Sequence, residues 1–116
     1  MIKFSQFNEH FRDLSYQWLQ DNELCSLINC KSPTKESQKE WYNSLESKID
    51  YKIFGVTYNN VPIGVCGLKH MTSNDAEYFG FIGNKQYWGK GIGKELITFI
   101  ENQARSFGIK KYISKS

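Results

Sequence analysis

The glycine-rich segment at residues 83–94 constrains the fold of this chain more than any other part of its sequence. It reads GNKQYWGKGIGK and lies between an aromatic run at residues 76–82 and an amphipathic stretch. Glycines let backbone N–H groups converge without interference from a Cβ atom, and the first turn of a helix presents unpaired N–H donors at the positive end of its dipole. A strand, glycines and a helix in this order therefore predict an anion site that suits a pyrophosphate.

The stretch after the glycines has the periodicity of one long helix. Its apolar residues follow one another at steps of four, three, one, four and three: Ile92, Leu96, Phe99, Ile100, Ala104 and Phe107. This spacing places them on one helical face. Gly108 is a suitable C-terminal cap, and residues 109–114 resemble the opening of a strand parallel to the one before the helix.

The N-terminal part of the chain is predicted to be helical. Apolar residues recur at steps of four, three and four, which predicts a helix over residues 8–20: Phe7, Phe11, Leu14 and Trp18. A shorter helix is predicted at residues 23–29. Thr34 can cap a third helix that carries Trp41 and Tyr42 and ends near Lys48.

Residues 51–82 have the pattern of an antiparallel meander. Three β-branched and aromatic runs, at residues 51–58, 61–71 and 76–82, are predicted to be strands. Asn59-Asn60 suits the first hairpin because asparagine tolerates positive φ, and residues 72–75 form the second turn. Cys66 lies in an apolar run without a base nearby in sequence, which favours a packing role over a nucleophilic one.

The composition is that of one folded domain. A chain of 116 residues, 40% of them hydrophobic, can bury roughly two-thirds of its unfolded surface, so we expect a single domain over residues 1–116. The net charge of +3 is too small to argue for nucleic acid. No apolar stretch approaches the ~18 residues that span a bilayer, so we expect no membrane insertion. Cys25, Cys30 and Cys66 lack the paired spacing of a metal or redox site, so we expect no metal and a cytoplasmic location.

Residue spacing excludes two familiar phosphate loops. A Walker A loop has four residues between its first glycine and the Gly-Lys pair, whereas Gly83 and Gly89 enclose five. A dinucleotide fingerprint needs G-x-G-x-x-G, whereas Gly89, Gly91 and Gly93 give G-x-G-x-G. Neither motif fits this segment.

The pattern that remains is Q-x-x-G-x-G, spelled Gln86-Tyr87-Trp88-Gly89-Lys90-Gly91, and it resembles the acetyl-CoA pyrophosphate loop of the GNAT superfamily of N-acetyltransferases. The order of N-terminal helices, meander, strand, loop and helix also resembles the family over nearly the whole chain. This resemblance implies a GNAT-like α/β (α+β) fold with a mixed sheet. A complete member continues into a further helix and strands, so we expect this chain to be C-terminally incomplete, without the family's usual tyrosine acid.

The resemblance also implies the cofactor-binding residues and the reaction. Backbone groups of Phe81 and Ile82 would bind the acyl chain of acetyl-CoA. The pyrophosphate would be held by Gln86, Tyr87, Trp88, Gly89, Lys90 and Gly91, with Gly93 and Lys94 at the start of the helix. Lys85, Lys90 and Lys94 would add positive charge. The acetyl group would pass directly to the primary amine of a small molecule, without an acetyl-enzyme.

A base is expected because the attacking amine must be neutral. Deprotonating an amine of pKa ~10.4 at pH 7 costs about 4.6 kcal/mol. Glu77 is the candidate, since it is the only acid in the third predicted strand and the family often uses a strand-borne carboxylate through water. A solvent-facing Glu77 with no such role fits the sequence equally well. His70 is the second candidate for the base.

Three functional interpretations remain open. The first is an N-acetyltransferase, and the segments at residues 18–23 and 41–42 resemble the branch that acts on amino sugars or on ribosomal-protein N termini, with the amino sugar favoured. Six aromatic residues could form a wall for such a substrate, although packing explains most of them: Trp41, Tyr42, Tyr78, Phe79, Tyr87 and Trp88. The second is a non-catalytic acyl-CoA-binding module whose exposed strand edges predict a homodimer. The third, nucleic-acid binding through Lys110 and Lys111, is disfavoured by the mild charge.

Overall fold

The computed structural model describes residues 2–28, 31–73, 75–109 and 111–114, the last of these by backbone only. The described residues contain one sheet of five strands: β1 (Ile2–Gln6), β2 (Lys52–Tyr58), β3 (Val61–Lys69), β4 (Asp75–Ile82) and β5 (Lys111–Ser114). They also contain four α-helices: α1 (Glu9–Trp18), α2 (Asn22–Ile28), α3 (Lys35–Ser44) and α4 (Ile92–Ser106). Short 3₁₀ turns follow α3 and β4, at Leu45–Ser47 and Lys85–Tyr87.

The sheet is mixed, as predicted from the sequence. Its strands lie in chain order, with β1 to β4 antiparallel and β5 parallel to β4. The β4 register against β3 runs from Lys69↔Glu77 to Gly64↔Ile82. Pairing with β5 ends at Tyr78↔Ser114. Within the described part of the chain, residues 79–82 of β4 therefore have no partner strand on the β5 side.

Strand β1 is an element that the sequence analysis did not predict. Its five residues pair with β2 from Ile2↔Tyr58 to Gln6↔Phe54. The ring of Phe4 stacks on that of Phe99 from α4, with centroids 3.7 Å apart. A strand this short at a chain terminus gives too weak a periodic signal for prediction, because its hydrogen bonds join residues about fifty positions apart.

Local side-chain hydrogen bonds set the helix starts and the first turn. The Asn8 side chain accepts a hydrogen bond from the amide of Phe11 at 3.0 Å and begins α1. Thr34 and Ser37 form a reciprocal capping box at the start of α3, which confirms the predicted cap. Asn59 and Asn60 both have positive φ, as expected for their hairpin.

Several predicted element ends differ from the structure. The first helix ends at Trp18 rather than at residue 20, and α3 ends at Ser44 before a 3₁₀ turn that extends toward Lys48. Strand β3 ends at Lys69 because His70 takes a φ of 53°, which breaks the extended backbone. Helix α2 begins at Asn22, one residue before its predicted start. Three predicted positions, at residues 29, 74 and 110, lie outside the described residues.

The sheet separates two hydrophobic clusters. On one face α4 packs through Leu96 and Ile100 against β-strand residues that include Cys66 and Leu68. On the other face the helical segments contribute Phe11 to a cluster with other aromatic residues. Phe107 was predicted on the buried face of the last helix, but it is 46% exposed because the helix ends before it. None of the described helices is long and apolar enough to cross a membrane.

Gly55 offers a test of the packing between α1 and β2. A Cβ atom added there would overlap the ring of Phe11. We expect Gly55→Ala to lower the free energy of unfolding by about 1–3 kcal/mol, because overpacking forces side chains off their rotamers. Urea denaturation measures this change. The matched control is Gly93→Ala in α4, where a Cβ meets nothing within 4 Å; helix propensity predicts no loss there, and equal losses in the two variants would contradict the packing described.

Candidate functional site

The loop after β4 begins with a turn that uses its own amides. The Asn84 side-chain oxygen accepts a hydrogen bond from the amide of Gln86 at 3.1 Å, and its carbonyl oxygen accepts one from Tyr87 at 3.0 Å. The Lys85 carbonyl accepts from the amide of Trp88 at 3.1 Å. These three amides are therefore not available to a ligand, so any contribution from residues 86–88 comes from their side chains. Asn84 was not identified from the sequence, although asparagine before a helical turn is a recognised capping signal.

The glycines that follow are exposed and have space around them. Gly89 and Gly91 both have a φ of 76°, a backbone conformation that strongly favours glycine. An added Cβ would meet nothing within 4 Å at Gly89, Gly91 or Gly93. The indole N–H of Trp88 donates to the Ile82 carbonyl at 2.6 Å and holds this part of the loop against the end of β4.

The start of α4 presents a group of backbone donors. Its N-cap residue is Gly91, and no side-chain hydrogen bond caps the helix. The N–H groups of residues 91–94 have no helical carbonyl four residues before them, so they are the unpaired donors of the helix end. Among the described residues, the Gly89 amide also donates no backbone hydrogen bond. Of the anion site predicted at residues 86–94, the backbone donors that are free therefore include those of Gly89 and residues 91–94.

The three loop lysines differ in their surroundings. Lys85 Nζ lies 2.7 Å from both Asp21 Oδ2 and Glu23 Oε1. The hydrogen bond from Lys85 lowers the pKa of Asp21, and the same contact raises the pKa of Lys85. Because two carboxylates neutralise it, Lys85 adds little positive charge to the loop, contrary to expectation. Lys90 and Lys94 are exposed and form no ion pair with a described residue.

A cavity of about 650 Å³ lies beside the open edge of β4 and the first turns of α4. Five consecutive β4 residues, Tyr78 to Ile82, line one side, and Gly93 joins it from the helix. Phe81 and Ile82, predicted to bind through their backbone, are both part of this lining. The wall opposite α4 includes Trp41.

The two candidate bases lie together at the other end of β4. Glu77 Oε2 is 3.2 Å from His70 Nδ1, and His70 Nε2 is 2.9 Å from the Tyr51 hydroxyl. The positive φ of His70 turns its ring back toward both partners. Burial, followed by the charges of Asp50 and Glu77, raises the pKa of Tyr51. None of the three residues of this cluster lines the cavity, so any action of Glu77 on a bound amine would pass through water.

The six aromatic residues do not form one wall. Trp41, Tyr78 and Phe79 line the cavity. Tyr42 packs near Phe7, with ring centroids 5.9 Å apart, while Tyr87 packs near Tyr58 and Trp88 near Lys85. Within the ranges described above, no group of three or more His, Cys, Asp or Glu residues is arranged to hold a metal ion.

The fold and the loop geometry correspond to a known class of proteins. The family described as the acetyltransferase (GNAT) family matches residues 15–115. The chain therefore belongs to the GNAT acetyltransferase family. No curated protein matches the sequence significantly.

Solved structures with the same fold include enzymes with bound coenzyme A. An aminoglycoside acetyltransferase in complex with coenzyme A has a TM-score of 0.80 and 18% identity, over 98% of this chain and 73% of that one. Spermidine N-acetyltransferase from Vibrio cholerae, in complex with CoA and spermine, has a TM-score of 0.75 and 17% identity, over 92% and 63%. A domain from Methanocaldococcus jannaschii has a TM-score of 0.79 and 21% identity, over 98% of this chain and 76% of that one. This chain spans between 63% and 76% of the lengths of these three neighbours, and the likeness shows the fold.

Cys66 provides a test of the inert role assigned to it. It is fully buried, and burial raises the pKa of its thiol to about 12. At pH 8 only about one thiol in 10⁴ would be ionised, and the thiolate is the reactive form. We expect iodoacetamide at pH 8 to leave Cys66 unlabelled in the native protein and to label it in urea, as measured by mass spectrometry of peptides. Rapid labelling of native Cys66 would contradict this assignment.

Proposed function

We propose that this chain is an N-acetyltransferase that moves an acetyl group from acetyl-CoA to the primary amine of a small molecule. The observation that carries the proposal is the set of unpaired amides at residues 91–94, next to three glycines that have open space around them. A doubly charged pyrophosphate matches such a site, because N–H donors and the helix dipole both favour negative charge. Membership of the GNAT family supports the same conclusion.

The residues present fit acetyl-CoA along the length of the site. Gly89, Gly91, Gly93 and the amide of Lys94 would hold the pyrophosphate, with the exposed side chains of Lys90 and Lys94 adding charge. Gln86, Tyr87 and Trp88 would contribute through their side chains, since their amides are already used. Backbone groups along the part of β4 without a described partner strand, at Phe81 and Ile82, would bind the acyl chain, apart from the Ile82 carbonyl, which accepts from the Trp88 indole.

The chain itself must orient the reactants and take up one proton. Acetyl-CoA would supply the reactive thioester, whose C–S bond would break as the amine nitrogen bonds to the carbonyl carbon, so that CoA would leave as a thiolate and take up a proton. A backbone amide of the unpaired part of β4 would donate to the carbonyl oxygen as negative charge develops on it. Glu77 would accept the proton of the attacking amine through water, and His70 would hold its carboxylate in place from 3.2 Å.

We further propose an amino sugar as the acceptor. Trp41, Tyr78 and Phe79 give the cavity aromatic surfaces of the kind that pack against sugar rings. The solved neighbours act on amine-bearing compounds, since one is named as an aminoglycoside acetyltransferase and another as a spermidine N-acetyltransferase. Acetylation of a protein N terminus is the alternative within the same chemistry.

A second candidate function is binding of acyl-CoA without turnover. The observation that favours it is the cavity lining, which contains no Asp, Glu or His among the described residues. Acetyl-CoA binding with no acetylation of any amine would support this second function. Transfer to an amine would exclude it.

The pyrophosphate site is tested by Gly89→Glu. The substitution places bulk and negative charge where the phosphates are proposed to lie, and calorimetry should show at least a hundredfold loss of acetyl-CoA affinity, about 2.7 kcal/mol. Gly108→Glu is the matched control, since Gly108 has a φ of 75° and equally open surroundings but lies at the far end of α4. Gly108→Glu introduces the same backbone strain, and this variant should keep its affinity for acetyl-CoA. Equal binding by the two variants would refute the site.

The role of Glu77 is tested by Glu77→Gln. We expect kcat to fall by about 10²-fold or more, with acetyl-CoA affinity unchanged, because general-base catalysis contributes on this scale. The deficit should shrink as the pH rises, since the free amine then loses its proton without help. Glu46→Gln, at an exposed position, is the control. If Glu77→Gln keeps full activity while His70→Gln loses it, the base is His70.

A further inference from the structure

The charge of the cavity points to the chemical class of the acceptor. Two lysines, Lys31 and Lys69, are part of its lining, and no described aspartate or glutamate is. A site built for a cationic polyamine would be expected to contain carboxylates, because opposite charges pair and like charges repel at short range. This cavity instead has two lysines and no described carboxylate in its lining.

Lys69 is the better defined of the two lysines. It is the last residue of β3 and is partly buried. Its Nζ lies 5.3 Å from the centroid of the Phe79 ring, which also lines the cavity. Its cross-strand neighbour is Glu77, but the Glu77 carboxylate lies against His70 instead. Lys69 thus forms no ion pair with a described residue, and it lies at the cavity wall.

The phosphates of the acetyl donor do not account for this charge. Lys69 lies opposite Glu77 in the register, whereas the glycine loop begins after Ile82. Five residues of extended strand separate these positions, about 17 Å at 3.3 Å per residue. A pyrophosphate at the start of α4 is therefore well beyond the reach of the Lys69 ammonium. A negative charge that pairs with Lys69 would therefore belong to another group in the cavity.

We propose that the acceptor amine carries a second, negatively charged group, a phosphate or a carboxylate, which is bound by Lys69, with Lys31 in the lining of the same cavity. This inference rests on the proposed function, because it names the substrate class of the same site. The anion would fix the orientation of the acceptor by its charged end and leave the amine directed along β4.

Two matched pairs of acceptors test the proposal in the intact protein. Glucosamine and glucosamine 6-phosphate differ by a phosphate, while cadaverine and lysine differ by a carboxylate. Release of CoA thiol measures kcat/KM for each compound, with spermidine as the cationic comparison. We expect the anionic member of at least one pair to be preferred by about tenfold or more, which corresponds to about 1.4 kcal/mol. The pair that shows the preference identifies the anion.

Lys69→Met should reduce the ratio of kcat/KM for the anionic acceptor to kcat/KM for its neutral partner to about three or less. Lys69→Arg should retain most of the preference, because it keeps the positive charge. Lys3→Met, on the exposed edge strand β1, removes the same charge and should leave the preference unchanged. A preference that survives Lys69→Met, equal rates for both members of both pairs, or spermidine as the best acceptor would overturn the proposal.

Failure of the proposed function is distinguishable from failure of this inference. If no acceptor is acetylated, calorimetric titration of glucosamine 6-phosphate and of glucosamine still measures the anion site directly. Binding of the phosphate compound alone, lost in Lys69→Met and kept in Lys3→Met, would support the anion site without transfer. Equal binding of the two sugars, or no binding of either, would overturn the inference.

Discussion

The backbone geometry between β4 and α4 is the constraint on which the rest of the site depends. A helix can present free amides only if no side chain caps it and the chain enters from a direction that leaves its first turn open. Gly91 achieves both, because its φ of 76° turns the chain sharply and it has no side chain to fold back. The indole of Trp88 then fixes the loop to the Ile82 carbonyl. The backbone donors at the start of α4 are thereby held at a fixed position relative to β4.

The second determinant of the site is the edge of β4 after Tyr78, which has no partner strand among the described residues. Parallel pairing with β5 reaches Tyr78, and the next four residues of β4 run alongside the cavity. Strand groups without a partner strand can bind an extended ligand in the manner of a sheet. The loop amides and this edge follow one another directly in the chain, so a single contiguous segment would contact the proposed acetyl-CoA along its length.

Much of this architecture could be predicted from the sequence, because the signals were local. The glycine spacing and the period of α4 involve neighbours in the chain, and both gave the right element in the right order. What depends on distant partners could not be predicted: β1 needed its pairing with β2, and the neutralisation of Lys85 needed residues more than sixty positions away. The same limit applies to Lys69, whose importance comes from a cavity wall assembled from several elements. The roles of Glu77 and the loop residues in binding and catalysis remain predictions.

The contact of Lys85 with Asp21 and Glu23 joins the loop after β4 to the start of α2. The lysine belongs to the cofactor loop, whereas the two acids lie at the start of α2, whose last residue, Ile28, lines the cavity. These ion pairs therefore connect the glycine loop with the helix that ends at the cavity. Because the charged groups are exposed, the attraction between them weakens as ionic strength rises. High salt would then loosen the contact between the loop and α2 without exposing either hydrophobic cluster.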